Sequence, residues 1–279
     1  MRFVATSIFL FTAALPVSAE VTGEVRLGVT QAGDISGAAF FADGTWAYEF
    51  GAFGVSLGSY GVWTGKDHPH ETYAALTYDL GPGKLALGVP RPAYDLFAVS
   101  AIDHVLPALG LANVAQTRSH ATAVATAGGG VPLGASFASD QFAASVVHID
   151  TTNATVVSVG GRFGNVPLFE GALELVEQSG DSHANAKLGV VHRIDAMTLH
   201  ATLFHSDVAG QAIELGTSFP VGNNVQLDLF AQVPDEGFDN ATVGAAAKFP
   251  LGVYSFLNTA VARDTNGEGA YAASIGWRF

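Results

Sequence analysis

Gly269–Phe279 reads GAYAASIGWRF, an alternating run that ends on an aromatic residue. Read as a strand, it puts Tyr271, Ala273, Ile275, Trp277 and Phe279 on one face. Ala270, Ala272, Ser274, Gly276 and Arg278 take the other, because successive strand side chains point to opposite sides. One face is apolar and the other small or polar. A soluble sheet shows the same alternation, so the pattern alone leaves core and bilayer both open. The aromatic end chooses between them. A terminal carboxylate beside Phe279 belongs at a water boundary with the ring at a membrane interface, where aromatic girdles flank membrane strands.

The other end of the chain agrees. Arg2 precedes an apolar run, Phe3–Leu15, and then Pro16-Val17-Ser18-Ala19, which predicts a secretory signal peptide over 1–19 cut after Ala19 and a mature chain of 20–279. No other segment has the roughly 20 uninterrupted apolar residues of a spanning helix. Hydrophobic residues nevertheless make up 49% of the chain, so its apolarity is spread in alternation. With Cys 0 there is no disulfide framework. Loss of Arg2 takes the formal charge from −13 to −14, which argues against a nucleic-acid partner. Gly 33 suits many tight turns.

Turn signals punctuate the chain at short intervals. Phe219-Pro220-Val221-Gly222, Phe249-Pro250-Leu251-Gly252 and Phe279 recur at a spacing of 30 residues, and each ends a strand at a turn or at the chain end. Phe50-Gly51, Leu80-Gly81-Pro82-Gly83 and Phe163-Gly164 read as earlier members of the series, all at one rim. More polar connections alternate with them, at 65–70, 150–153, 178–183, 206–210, 234–240 and 264–269. The strands predicted are 22–31, 38–50, 54–64, 71–80, 84–89, 131–139, 141–148, 154–163, 169–177, 184–193, 197–205, 211–219, 224–233, 241–249, 253–263 and 269–279. These make an all-β, transmembrane antiparallel barrel of about 16 strands, or 14 if Ser119–Thr126 is itself a strand and a later hairpin is lost. An even count lets the two ends pair and leaves no edge.

The long connection, 90–117, falls between the fifth and sixth strands. Long loops in compact domains are usually functional. Val99, Ile102, Val105, Leu106 and Leu109 within it predict short helix with an apolar side, its length limited by Pro107. Such a segment is either an exterior flap or a loop folded into the lumen. Here the chain resembles the Gram-negative general porins of the alphaproteobacterial type. The residues that carry the resemblance are Gly88, Ala93-Tyr94-Asp95, Asp103 and Gly276-Trp277-Arg278-Phe279. The resemblance implies a third loop bent inward with acidic groups facing a row of cations, a homotrimer, and a closing strand whose Trp277 and Phe279 act as an assembly signal. The chain departs from that pattern in being compact and in having an apolar, acid-poor third loop.

With the apolar set toward lipid, strand charges fall on the inner face, since Arg or Lys at mid-bilayer costs about 2–4 kcal/mol. Arg26 alternates with Val25, Leu27 and Val29, and Lys248 with Val243, Ala245 and Phe249. Asp95, Asp103, Arg26, Arg162 and Lys187 are the expected constriction, acids opposite cations. Glu24, Glu49, Asp79, Glu174, Glu214, Asp228, Lys248 and Arg278 are expected to line the lumen, with Glu170 and Arg193 on inward positions as well. For each residue taken singly an ion pair near a turn is the simpler role; together they argue for a wet interior.

His68-Pro69-His70-Glu71 beside Asp67 offers metal-ligand types but no third clustered ligand, so it reads as a solvated exterior loop, and no metal or cofactor is expected. Asn153-Ala154-Thr155 and Asn240-Ala241-Thr242 carry no weight in a bacterial chain. His148-x-Asp150 invites a lipid-hydrolase reading, but the outward positions are aliphatic or aromatic, and the expectation is no enzyme. The expected function is an outer-membrane channel for passive diffusion of ions and small hydrophilic solutes, weakly cation-selective. The alternatives are a non-conducting barrel serving as anchor or adhesin, and the lipid hydrolase.

Overall fold

The computed structural model describes residues 17–222 and 225–279. The first five strands are β1 (Val17–Ala32), β2 (Ile35–Phe50), β3 (Phe53–Thr64), β4 (His70–Asp79) and β5 (Lys84–Val89). After the long connection come β6 (Pro132–Ala138), β7 (Phe142–Ile149), β8 (Ala154–Phe163), β9 (Leu168–Gln178), β10 (Asp181–Ile194) and β11 (Met197–Ser206). The last are β12 (Gly210–Val221), β13 (Val225–Pro234), β14 (Thr242–Pro250), β15 (Ser255–Arg263) and β16 (Gly269–Arg278). They form one closed barrel in sequence order, with β1 pairing β16 antiparallel. Residues 1–16 of the expected signal lie outside the described residues, as does Asn224, the expected start of the thirteenth strand. The expected cut after Ala19 falls within β1.

Closure follows from the alternation. Val25 stands opposite Trp277 and Leu27 opposite Ile275, so both strands present one apolar outer face. Glu24 stands opposite Arg278 on the inner face. A slip of one residue would exchange the faces, which is why the register holds. Gly23 N–H donates to the Phe279 carbonyl at 3.0 Å, and Phe279 N–H returns the bond to the Gly23 carbonyl at 3.2 Å. Gly23 takes φ +139, and a Cβ there would lie 2.4 Å from the Asp43 carbonyl oxygen, so glycine is required where β1, β2 and the chain end crowd together. No helix among the described residues is long and apolar enough to cross a membrane, and the strands close into a barrel with large apolar side chains such as Leu27, Leu173 and Leu203 exposed.

The connection between β5 and β6 runs to Val131. It contains a 3-10 turn (Ala93–Leu96) and four short helices: α1 (Ala101–Val105), α2 (Pro107–Ala112), α3 (Val114–Thr117) and α4 (His120–Thr126). Pro107, expected only to stop a helix, occupies the first turn of α2, where its missing N–H costs nothing. Ser119–Thr126 is helical rather than a strand, which removes the 14-strand alternative.

This connection folds into the lumen and meets wall on many sides. The 3-10 turn packs on β6 to β9, α1 on β13, α2 on β1 to β3, α3 on β11 and β12, and α4 on β4. Ile102, Val105, Leu106 and Leu109 are buried with Phe41, Tyr60, Val62, Tyr73 and Phe230 from the wall. The inner face is therefore not uniformly polar. Where the loop docks, the wall supplies apolar partners, because the apolar side of α1 and α2 must be covered.

Candidate functional site: the loop-filled lumen

The loop is fastened to the wall by carboxylates that cap its helices. A helix begins with unpaired N–H groups, and a carboxylate both accepts from them and matches the dipole. Glu214 of β12 accepts from the Ser100 hydroxyl and from Ala101 N–H at 2.6 Å, at the start of α1. Glu174 of β9 does the same at α4, accepting from the Ser119 hydroxyl, from His120 N–H at 2.8 Å and from the Asn185 amide at 2.9 Å. Glu170 takes Ala98 N–H at 3.0 Å. Glu174 and Glu214 do face inward, but at 1% and 0% exposure they meet the loop and not lumen water.

The expected constriction residues all touch this interface. Asp103, 2% exposed, pairs with Arg118 of the loop itself at 2.7 Å, and Arg118 lies 4.1 Å over the Tyr60 ring. Asp95, 1% exposed, accepts Ser119 N–H at 2.7 Å and contacts the Thr122 hydroxyl. Arg26 bonds Glu24 and the His104 carbonyl, with the Val105 carbonyl at 3.4 Å. Lys187 reaches the Thr117 carbonyl at 3.4 Å and the Tyr94 ring at 4.4 Å. Arg162 lies 3.6 Å from Glu170 and 5.2 Å over the Phe97 ring. Acids and bases are thus brought together through the loop, with Asp95 and Asp103 engaged by loop donors and not facing the cations across open water. Burial holds His104 and His120 below the usual imidazole range, and the neighbouring His183, at 5.2 Å between ring centroids, lowers His120 further.

Open space remains on the C-terminal-rim side of the loop. Cavities of about 300, 390 and 380 Å³ all share Arg278 in their walls. Arg278 is 57% exposed at its side chain and bonds Glu24 at 2.6 Å. Lys248 lies 3.6 Å from the same Glu24 carboxylate, and both cations stack on the Phe256 ring, at 5.4 and 4.5 Å. Asp228 accepts from the Gln226 amide at 2.9 Å. Nearer the rim Lys84 pairs with Glu49, and Asp79 caps its turn by accepting Gly81 N–H at 2.7 Å. Trp277 and Phe279 are exposed, and Trp277 shares the outer face of Ile275. His148, toward the opposite rim, bonds the Thr155 hydroxyl at 3.1 Å.

Arg91, Ser100, Arg118, Ser119 and Thr122 join the interface without having been singled out from the sequence, and Glu71, expected in a solvated loop, is instead buried on β4 against the Thr122 hydroxyl. Ser100 and Ser119 carried a readable signal, a serine just ahead of a short helix. Arg91, which bonds Asp43 at 2.9 Å, carried none, because its partner is distant in sequence.

Together the closed barrel and the inward-folded third loop define a porin-type β-barrel. The chain has the fold of the Rhodopseudomonas blastica porin. A triple variant of that porin superposes with a TM-score of 0.67 at 12% identity, covering 94% of this chain and 100% of that one. Two further variants give 0.66 at 12% and 0.64 at 11%, with the same coverage of both chains. No family model matches the chain, and no curated protein matches it in sequence.

Proposed function

We propose that the chain is an outer-membrane channel for passive diffusion of ions and small hydrophilic solutes, exported by its first 19 residues and assembled as a homotrimer. The observation that carries this reading is a closed barrel with apolar Leu27, Leu173, Leu188 and Leu203 outside and water-accessible charge, Arg278 and Lys248, inside. The fold likeness to a porin and the inward third loop support it. A weak cation preference accompanies it. Asp207, Asp235, Glu236, Asp239, Asp264 and Glu268 lie in connections between β11 and β16 that hold no Lys or Arg. Such a mouth concentrates cations.

The contacts of the loop with so much of the wall favour a second reading, a barrel that stays shut and serves as an anchor. Refolded residues 20–279 in a planar bilayer separate the two. Stable open steps support the channel, and silence from well-inserted protein supports the shut barrel. A reversal potential of anion sign under a salt gradient overturns the cation preference.

A further inference from the structure

The outer face of the barrel carries a groove that neither the lumen nor the loop accounts for. Its volume is about 880 Å³, and it crosses the wall from β7 to β13. Strand register explains it. Gly161 stands opposite Gly171, and Leu173 opposite Ala186, so three successive strands put a hydrogen or a methyl on the floor. Leu173, Leu188 and Leu203 rise beside that floor at 60%, 55% and 50% exposure. Strand side chains stand roughly perpendicular to the sheet, so small residues between large ones leave a trough. It begins beside Phe142, at the rim of the Phe279 series, and ends at Asp235 on the opposite rim. Interstrand steps of about 4.8 Å from β7 to β13 make it roughly 29 Å long, close to the thickness of a bilayer's hydrocarbon core, about 30 Å.

Polarity is sorted along this groove. Its outward side chains on β7 to β10 are apolar, and Lys187 of β10 sends its ammonium into the lumen against the Tyr94 ring. The polar side chains, His205, Gln211 and Asp235, gather at the far rim. Asp235 accepts Gln211 N–H at 3.4 Å, and His205 lies 3.2 Å from Asp207. Glu236 follows Asp235, and the connections 207–209 and 235–241 hold no Lys or Arg. A ligand lying in the groove thus meets hydrocarbon along most of its length and carboxylate at one end. Glycine weakens a strand interior and often marks a place where a ligand approaches closely. Backbone geometry does not demand it at position 171: a Cβ there would lie 3.4 Å from the Lys187 carbonyl oxygen and 3.7 Å from Leu188 Cδ1, ordinary contact distances.

We propose that this groove holds an acyl chain of one membrane lipid whose head carries a protonated amine, with the amine resting against Asp235. The tail follows from where the groove lies. A trough on a membrane-facing wall fills with hydrocarbon, because an empty one leaves its lining atoms without contacts on one side. The head follows from charge. Asp235, with Asp207 and Glu236 beside it and no cation in either connection, attracts an ammonium and repels a head that is only anionic. The volume lies within the range of about 300–1,000 Å³ in which proteins hold small molecules. This assignment rests on the outer-membrane reading given above.

The test refolds residues 20–279 into vesicles of equal phosphatidylethanolamine and phosphatidylglycerol, extracts the barrel in mild detergent and weighs it by native mass spectrometry. One phosphatidylethanolamine should stay on each chain, preferred over phosphatidylglycerol by about threefold to fivefold, the range an exposed ion pair supplies. Gly171→Leu fills the floor and should lose the lipid; Ala186→Phe supplies the same comparison if Gly171→Leu does not fold. Asp235→Asn should keep a lipid while the preference falls to about one. Equal retention by wild type and a filled variant, no retained lipid in wild type, or a preference that survives Asp235→Asn overturns the proposal. So does a lipid-free oligomer that Gly171→Leu dissociates, which would make the groove an interface between copies. Inserted barrels that hold no lipid overturn the groove alone, whereas protein that stays out of the vesicles overturns the membrane reading and the groove with it.

Discussion

Arg278 shows how one residue does two things at once. Its backbone belongs to the closing strand, and its guanidinium stands where the three rim-side cavities meet, held by Glu24 and Phe256. Replacing it by Gln removes a cation from the route and leaves the seam bonds intact. The reversal potential of Arg278→Gln should shift further toward cation selectivity, measured under the same salt gradient as wild type. On the outer face the logic is hydrophobic. Leu188 sits mid-strand on β10, is 55% exposed, and alternates with the buried Lys187. Leu188→Arg should destabilise the folded barrel by about 2–4 kcal/mol in vesicles, read from denaturant unfolding, whereas the same charge is accommodated one residue earlier.

At the scale of elements the helices of the third loop are too short to be stable alone, and the wall holds them by their N-termini. Glu214 is the clearest handle, since it serves both the Ser100 hydroxyl and the Ala101 N–H. Glu214→Ala leaves those buried donors unpaired, at a cost of about 2–3 kcal/mol. The expected outcome is faster proteolysis within 97–106 and a higher open probability; an unchanged cleavage rate would show that α1 does not depend on this tether. Replacing 92–130 by a short Gly-Ser turn should raise single-channel conductance several-fold while the barrel still forms, because the strand ladder closes without the loop.

For the whole molecule, the formal charge of −13 and the acidic connections act at a distance, and distance is what salt removes. Raising ionic strength from 0.1 to 1 M shortens the screening length from about 10 to about 3 Å. The cation preference should therefore fade toward zero across that range. A preference that survived high salt would place its origin in close contacts inside the lumen. Mass measurement in mild detergent should give three chains, and a monomer alone would remove the homotrimer.

Strands, turns and their number were legible in the chain because a barrel wall solves a local problem. Each strand alternates between lipid and interior, so every segment of about ten residues states its own orientation, and the Phe279 series marks one rim. The presence of a loop with an apolar side was legible for the same reason, in Ile102, Val105, Leu106 and Leu109. That it bends inward was implied by the family resemblance, but which wall residues hold it was not legible. Glu174 lies 55 residues from Ser119 and Glu214 lies 114 from Ser100, and nothing in local periodicity says that these carboxylates meet helix starts and not water. Alternation along each strand is enough to specify a closed barrel with charge on its inner face. Which of those charges face solvent, as Arg278 does, and which, like Glu71 and Asp95, are sealed against the loop is set by how the folded chain packs. Burial and hydrogen-bond partners belong to the assembled fold, and no stretch of the chain carries them alone.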